Sequence, residues 1–220
     1  MSERRSILAI TSCTGLKTIG DGGASLPAER LYAGEQHRRL MQGVDYFRAS
    51  SSGHELDLRI LSAGHGVVAG DHRLRHYDSS FAALGKAEID ERAAELGVPG
   101  QIEQLLSRPY ALVLVLLGDD YMRAAAIDSD TQFSSPTIVF CGERLARRLQ
   151  GVPSLKLVPA DKRQTRRFAC GLVGLKGELG GRLLRLLADD PGLLPKVSDP
   201  GLDLLAMLDA ASVRPLGAAA

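Results

Sequence analysis

The chain is poor in cysteine, poor in aromatic residues and without a long apolar run. Three cysteines in 220 residues, at positions 13, 141 and 170, are too few for a disulfide framework and lack the paired spacing of a zinc site. The longest apolar run covers 111–117, well short of the roughly 18 residues that a membrane-spanning helix needs. The opening Met1-Ser-Glu-Arg-Arg leads directly into a strand-like segment and has no signal-peptide layout. These features predict a soluble, cytoplasmic protein with no membrane partner. Neither Gly-x4-Gly-Lys-Ser/Thr nor Gly-x-Gly-x-x-Gly occurs, so ATP and dinucleotides have no motif behind them and no cofactor is expected. Aromatic residues make up only 5% of the chain, so a wall on which a ring could stack must come from a few side chains, with Tyr32 and Tyr121 as candidates.

What is present is an ordinary globular composition, 45% hydrophobic and 24% charged, at a length that suits one well-cored domain. Its charge is unevenly spread. The whole chain carries +1, yet between Arg144 and Arg185 eleven Lys and Arg stand against Asp161 and Glu178 alone, a local +9. Within it, Lys162, Arg163, Arg166 and Arg167 open a helical stretch. A short basic run is usually a solvated helix face; an excess sustained this long makes the segment a candidate for holding a DNA or RNA backbone.

Strand-like runs alternate with helical ones. Strands are predicted at 6–11, 56–61, 110–117, 137–141 and 155–158, and helices at 34–47, 82–96, 101–107, 143–150 and 166–188, with a last amphipathic helix from Leu202. Residues 14–27 read as a glycine-rich loop, and 64–78 as a second loop holding three histidines. The alternation predicts an α/β fold: three layers, a mostly parallel central sheet of four to five strands, and helices on both faces. It forms a single domain, with a core over about 6–188 and a helical C-terminal extension over 191–220. Ligands of such sheets bind beyond the carboxyl ends of the strands. The residues just after each strand are therefore the candidates.

Cys13 follows the first strand between Ser12 and Thr14, with Lys17 close by; a neighbouring lysine favours the thiolate, and the competing reading is a small buried hydrophobe. Ser62 and His65 follow the second strand. His65, His72 and His76 share one loop but lack the His-x3-His spacing of zinc hydrolases, so no metal is expected. Tyr77-Asp78 closes that loop, and Asp78 is either a catalytic carboxylate or the cap of the following helix. Asp119 and Asp120 end the most apolar strand, with Tyr121 behind them, and carry the same two readings.

An ordered set of these residues resembles an uncharacterised bacterial family met among mobile-element and defence genes. The matching residues are Ser12-Cys13 with Lys17, Pro27-Ala28-x-x-Leu31-Tyr32-x-Gly34, Ile60-Leu61-Ser62-Ala63-x-x-Gly66, Tyr77-Asp78 and Gly118-x-x-Tyr121. The agreement covers about residues 7–150. His65 stands where that pattern has an aromatic residue. More remotely, the family is similar to YaaA-type proteins and to the uracil-DNA-glycosylase-like fold; the glycosylase motifs Gly-Gln-Asp-Pro-Tyr and His-Pro-Ser are absent. The resemblance implies a hydrolase that cleaves the N-glycosidic bond of a DNA base, with phage-modified bases as a substrate class. In that reading Asp78 or Asp119 stabilises the cationic sugar, Lys17 and His65 stabilise the departing base, and Ser12, Cys13, Tyr32, Ser62, Tyr77 and Tyr121 line its pocket. The alternatives are a base-exchange transferase with a Cys or Asp nucleophile, acting on deazaguanine-type bases of tRNA or DNA, and a non-catalytic nucleic-acid or nucleotide binder.

Overall fold

The computed structural model describes residues 6–18 and 23–211. Along the chain these form β1 (Ser6–Ser12), β2 (Leu26–Pro27), α1 (Ala28–Leu31), α2 (Glu35–Ala49), β3 (Glu55–Ser62), β4 (Gly66–Ala69), β5 (Arg73–Leu74), α3 (Lys86–Glu95), α4 (Val98–Leu106), β6 (Leu112–Leu116), α5 (Asp119–Ala124), β7 (Thr137–Cys141), α6 (Glu143–Leu149), β8 (Leu155–Pro159), α7 (Lys162–Arg167), α8 (Leu172–Asp189) and α9 (Leu204–Ala210). The N-terminal five residues, Gly20 and Gly22 of the glycine-rich loop, and 212–220 of the C-terminal extension lie outside the described residues.

The central sheet has the order β4-β3-β1-β6-β7-β8, with β3, β1, β6, β7 and β8 parallel and β4 antiparallel to β3. This is the expected α/β architecture with six strands where four to five were read. The addition is β4. Gly66 takes φ +73°, a conformation that favours glycine, and the chain turns back at once to pair Val67 and Val68 with Leu61 and Ile60. Four residues are too few for alternation to be legible. Every residue of β6 and β7 is buried, as helices on both faces require.

The strand order reverses between β1 and β6. From β1 the chain passes through α2 to β3 on one side, whereas from β6 it passes through α5 to β7 on the other. The loops leaving β1 and β6 therefore part company, opening a crevice at their carboxyl ends. On one face α2 and α8 pack side by side, with α8 lying on β6 and β7; α3 packs against α4 and α5 in the opposite layer.

The α2–α8 contact is made backbone to backbone. A Cβ on Gly177 would lie 1.9 Å from the Gln36 carbonyl oxygen, and one on Gly43 would lie 2.3 Å from that of Gly181. The glycines that interrupt the apolar pattern of the predicted 166–188 helix are thus the face along which α2 approaches. That helix is also two: α7 ends at Arg167, Ala169 takes φ +47°, and α8 starts at Leu172. Similarly, Gly97 ends α3 as read, but Val98-Pro99-Gly100 forms the first turn of α4 instead of a loop. The C-terminal extension folds back on its own chain: α9 packs on α8, Arg167 pairs with Asp209 at 2.9 Å, and the buried Lys156 ammonium donates to the carbonyls of Asp199 and Leu202. Among the described residues, no helix is long and apolar enough to cross a membrane.

His37 on α2 is 1% exposed; its Nε2–H donates to the Glu29 carbonyl at 2.9 Å, while Nδ1 has no partner among the described residues. Burial holds its pKa below the ordinary 6.5, and the Glu29 hydrogen bond only partly offsets this. The folded protein thus takes up this proton less readily than the unfolded chain. The stabilisation is present above about pH 6.5 and is lost as pH falls towards the folded-state value. Urea unfolding is expected to give a lower midpoint at pH 5.5 than at pH 7.5, with the difference reduced in His37→Met.

Candidate functional site

Five segments converge on the carboxyl ends of β1 and β3. Ser62 ends β3, and its hydroxyl accepts from the backbone N–H of Gly64 (3.2 Å) and of His65 (3.1 Å). Tyr77 OH lies 2.7 Å from Ser62 Oγ and 2.8 Å from Tyr32 OH. Its ring sits over Gly64, where a Cβ would come within 2.7 Å. Lys17, fixed by a β-bridge to Tyr32, carries its ammonium 4.4 Å from the centre of the Tyr77 ring, and His65 meets the same ring edge-on at 4.8 Å.

The hydrogen atoms of this chain can be counted. A hydroxyl has one proton and two lone pairs. Ser62 has both lone pairs occupied by backbone N–H groups, so its proton goes to Tyr77. Tyr77 and Tyr32 then share one further bond with two protons between them. Beyond these bonds the second phenol makes no further hydrogen bond within 3.5 Å to a described residue, and Ser62 acts on both phenols. Burial is the main cause that raises the pKa of both phenols, Tyr32 to about 12. Both stay protonated at neutral pH, and the spare group is a neutral donor.

On the other flank of β1, Cys13 Sγ lies 3.2 Å from Tyr121 OH, which is 3.4 Å from Ser80 Oγ. Tyr121 stands edge-on to Phe81 at 5.4 Å and is 6% exposed; Tyr32 is 3% exposed. Neither offers a ring face for stacking as expected; each presents its hydroxyl. The carbonyls that end β6 are capped by two long side chains. Gln36 Nε2 donates to Leu116 O at 2.9 Å, and Lys176 Nζ donates to Leu117 O. Asp119 follows immediately, and its carboxylate and the Cys141 thiol act electrostatically on Lys176. Burial lowers the Lys176 pKa and pushes the Cys141 thiol up to about 11.

The structure therefore gathers Ser12, Cys13, Lys17, Tyr32, Ser62, His65, Tyr77 and Tyr121 along one edge. The two carboxylates occupy different parts of it. Asp78 is exposed and makes no side-chain hydrogen bond to a described residue; it caps no helix, since Ser80 precedes the turn at Phe81–Ala83. Asp119 is the first residue of α5, not its cap, which is Gly118. Among the described residues, no group of three or more His, Cys, Asp or Glu side chains is placed to hold a metal ion.

The basic segment is partly neutralised within the fold. Arg163 pairs with Asp161, Arg167 with Asp209, Arg147 with Glu143 and Arg182 with Glu178. Arg144, Arg148, Lys162 and Arg166 are exposed and form no ion pair with a described carboxylate. The larger cavity, 460 Å³, lies away from this edge, between β8 and residues 200–205; a second, of 400 Å³, is lined by Gly23, Ala24, Ser25, Arg75 and His76, the last directly before Tyr77.

All three thiols are buried, Cys13 at 3%, Cys141 at 1% and Cys170 at 8% exposure. A disulfide reagent at pH 8 is expected to titrate them slowly in the native protein and rapidly in denaturant, which counting released thiolate against time will check.

Gln36, Ser80 and Lys176 are the site residues that sequence reasoning missed. Nothing local marks Gln36 and Lys176, which reach the edge from α2 and α8, whereas Ser80 stands two residues after Asp78. No family model, curated protein or solved structure matches this chain.

Proposed function

We infer that the protein binds a nucleobase at the carboxyl edge of the sheet and hydrolyses the N-glycosidic bond that attaches it to a nucleic acid. The observation that carries this reading is the spare phenolic O–H of the Tyr32–Tyr77–Ser62 chain, a neutral donor beside the Lys17 ammonium. A departing base is a delocalised anion whose charge resides on keto oxygens and ring nitrogens. Neutral donors plus one cation stabilise that charge as it develops.

The strand spacing supports a sugar on the opposite flank. Ser62 and Leu116 end strands two places apart, with β1 between them, so the Tyr77 and Asp119 ends of the site are separated by about 10 Å. A nucleoside bridges such a span, with the base edge on Tyr77 and Lys17 and its anomeric carbon towards Asp119. The Asp119 carboxylate then faces the positive charge that the sugar acquires as the bond breaks. Asp78 stands at the base end. Arg144, Arg148, Lys162 and Arg166, on helices that begin just after β7 and β8, supply cations for flanking phosphates.

The test is incubation with unmodified and phage-modified DNA, followed by mass analysis of the small molecules released. A single free base from one substrate class is the expected result. Binding to both DNAs with no base released from either would refute the reading for those substrates.

A further inference from the structure

Lys176 has no part in the chemistry just described, yet it is built into the site. Its position is fixed by its neighbour: Gly177 packs against the Gln36 carbonyl of α2, closer than any side chain would allow. From there the side chain runs to the end of the central strand, where Nζ donates to Leu117 O, the last carbonyl before Gly118 and Asp119. It is half-buried at the ends of β6 and β7, where the Cys141 thiol and the Asp119 carboxylate act on it. An ammonium has three donors, and only this one bond is formed with the described residues. The exposed lysines of the chain, such as Lys86 and Lys162, have no such setting.

We propose that Lys176 is the amine nucleophile of base release, attacking the anomeric carbon of the bound nucleoside from the Asp119 side. This rests on the glycosidic reading above and adds to it a covalent intermediate. In its neutral form, Nζ gives its electron pair to C1′ as the C1′–N bond to the base breaks, and the base departs with the electron pair of that bond. One proton leaves the new C1′–Nζ nitrogen for the base. The sugar ring then opens, O4′ takes up a proton from solvent, and C1′ and Nζ are joined as a protonated, cationic imine that returns this proton to solvent when water adds. Water adds to C1′ and the C1′–Nζ bond breaks, which restores the amine and leaves an abasic sugar. The sum is one water consumed and one base released. Burial favours the neutral amine that the first step needs, and Asp119 is placed to balance the cationic imine.

The experiment uses the full chain with an oligonucleotide carrying one abasic site, whose C1′ is an aldehyde, in the presence of cyanoborohydride. The reductant converts an imine into a stable secondary amine that survives denaturing electrophoresis and can be located by peptide mass. A cross-link mapped to Lys176 is expected, falling to the level of the reductant-free control in Lys176→Arg and unchanged in Lys196→Met. The arginine variant keeps the charge and the bond to Leu117 O; its oligonucleotide affinity and thermal midpoint, both expected to be retained, separate loss of the amine from loss of the fold. Base release by the wild-type protein with no adduct, or with an adduct mapped to another lysine, overturns the inference and leaves the glycosidic reading standing. An adduct at Lys176 without base release from any DNA removes the glycosidic reading and with it the amine's role as nucleophile of base release.

Discussion

Gly177→Val is expected to destabilise the protein by about 3 kcal/mol or more, the upper range for forcing extra atoms into a packed interface. A Cβ at this position would stand 1.9 Å from the Gln36 carbonyl oxygen, with the Gln36 carbonyl carbon at 2.7 Å. The obstacle is backbone, which cannot swing aside as a side-chain tip would. To admit the new atoms α2 and α8 must separate, opening their contacts at Gly43, Gly174 and Gly181 together. Set against a typical total of ~5–15 kcal/mol, that is a large fraction. The opposite sign is expected at Gly100 in α4, where a Cβ meets nothing within 4 Å. Gly100→Ala is predicted to raise stability by about 0.5–1 kcal/mol, the ordinary helix gain. Urea midpoints for the two variants check both. The α2–α8 contact also sets the site, since Gln36 and Lys176 leave these helices to cap the end of β6, so milder substitutions at Gly177 should weaken activity ahead of stability.

Asp119→Asn is expected to slow base release about 100- to 1,000-fold, the usual cost of removing one well-placed electrostatic partner of a transition state. Asparagine keeps the size and the place in the first turn of α5 and removes only the charge. The loss should therefore appear in the rate of the chemical step, with DNA affinity little changed. Asp78→Asn serves as the comparison. Exposed like Asp119, but next to Tyr77 at the β3 end of the site, it should leave the rate within a few fold of wild type.

The main outline was legible in the sequence because its signals are local. The runs at 110–117 and 137–141 are apolar throughout, as strands covered on both faces must be, and the alternation of strands and helices fixes a parallel sheet. The carboxyl-edge rule pointed to Ser12, Cys13, Ser62, His65 and Tyr121, which the structure brings to one edge, while Tyr77 came from the histidine loop. What was illegible depends on contacts across the chain. β4 exists because Gly66 permits a turn that lays four residues on β3. The glycines of α8 look like interruptions until α2 is beside them. Burial converts Tyr32 and Tyr121 from candidate stacking walls into hydroxyl donors, and Lys176 gains its setting from the Leu117 carbonyl, 59 residues earlier. Two charges of the local +9 between Arg144 and Arg185 are likewise met by carboxylates outside that segment, Arg147 by Glu143 and Arg167 by Asp209.

The most direct test of the account is the rate of abasic-site formation in a single turnover, with protein in excess over a DNA whose base is released. Wild type, Asp119→Asn, Asp78→Asn and Tyr77→Phe would be compared at equal DNA occupancy. A large loss is expected in Asp119→Asn and a clear loss in Tyr77→Phe, where the donor chain is broken, with little change in Asp78→Asn. Equal rates in Asp119→Asn and wild type, or a loss confined to Asp78→Asn, would contradict the placement of the sugar at the β6 end of the crevice and with it the central claim.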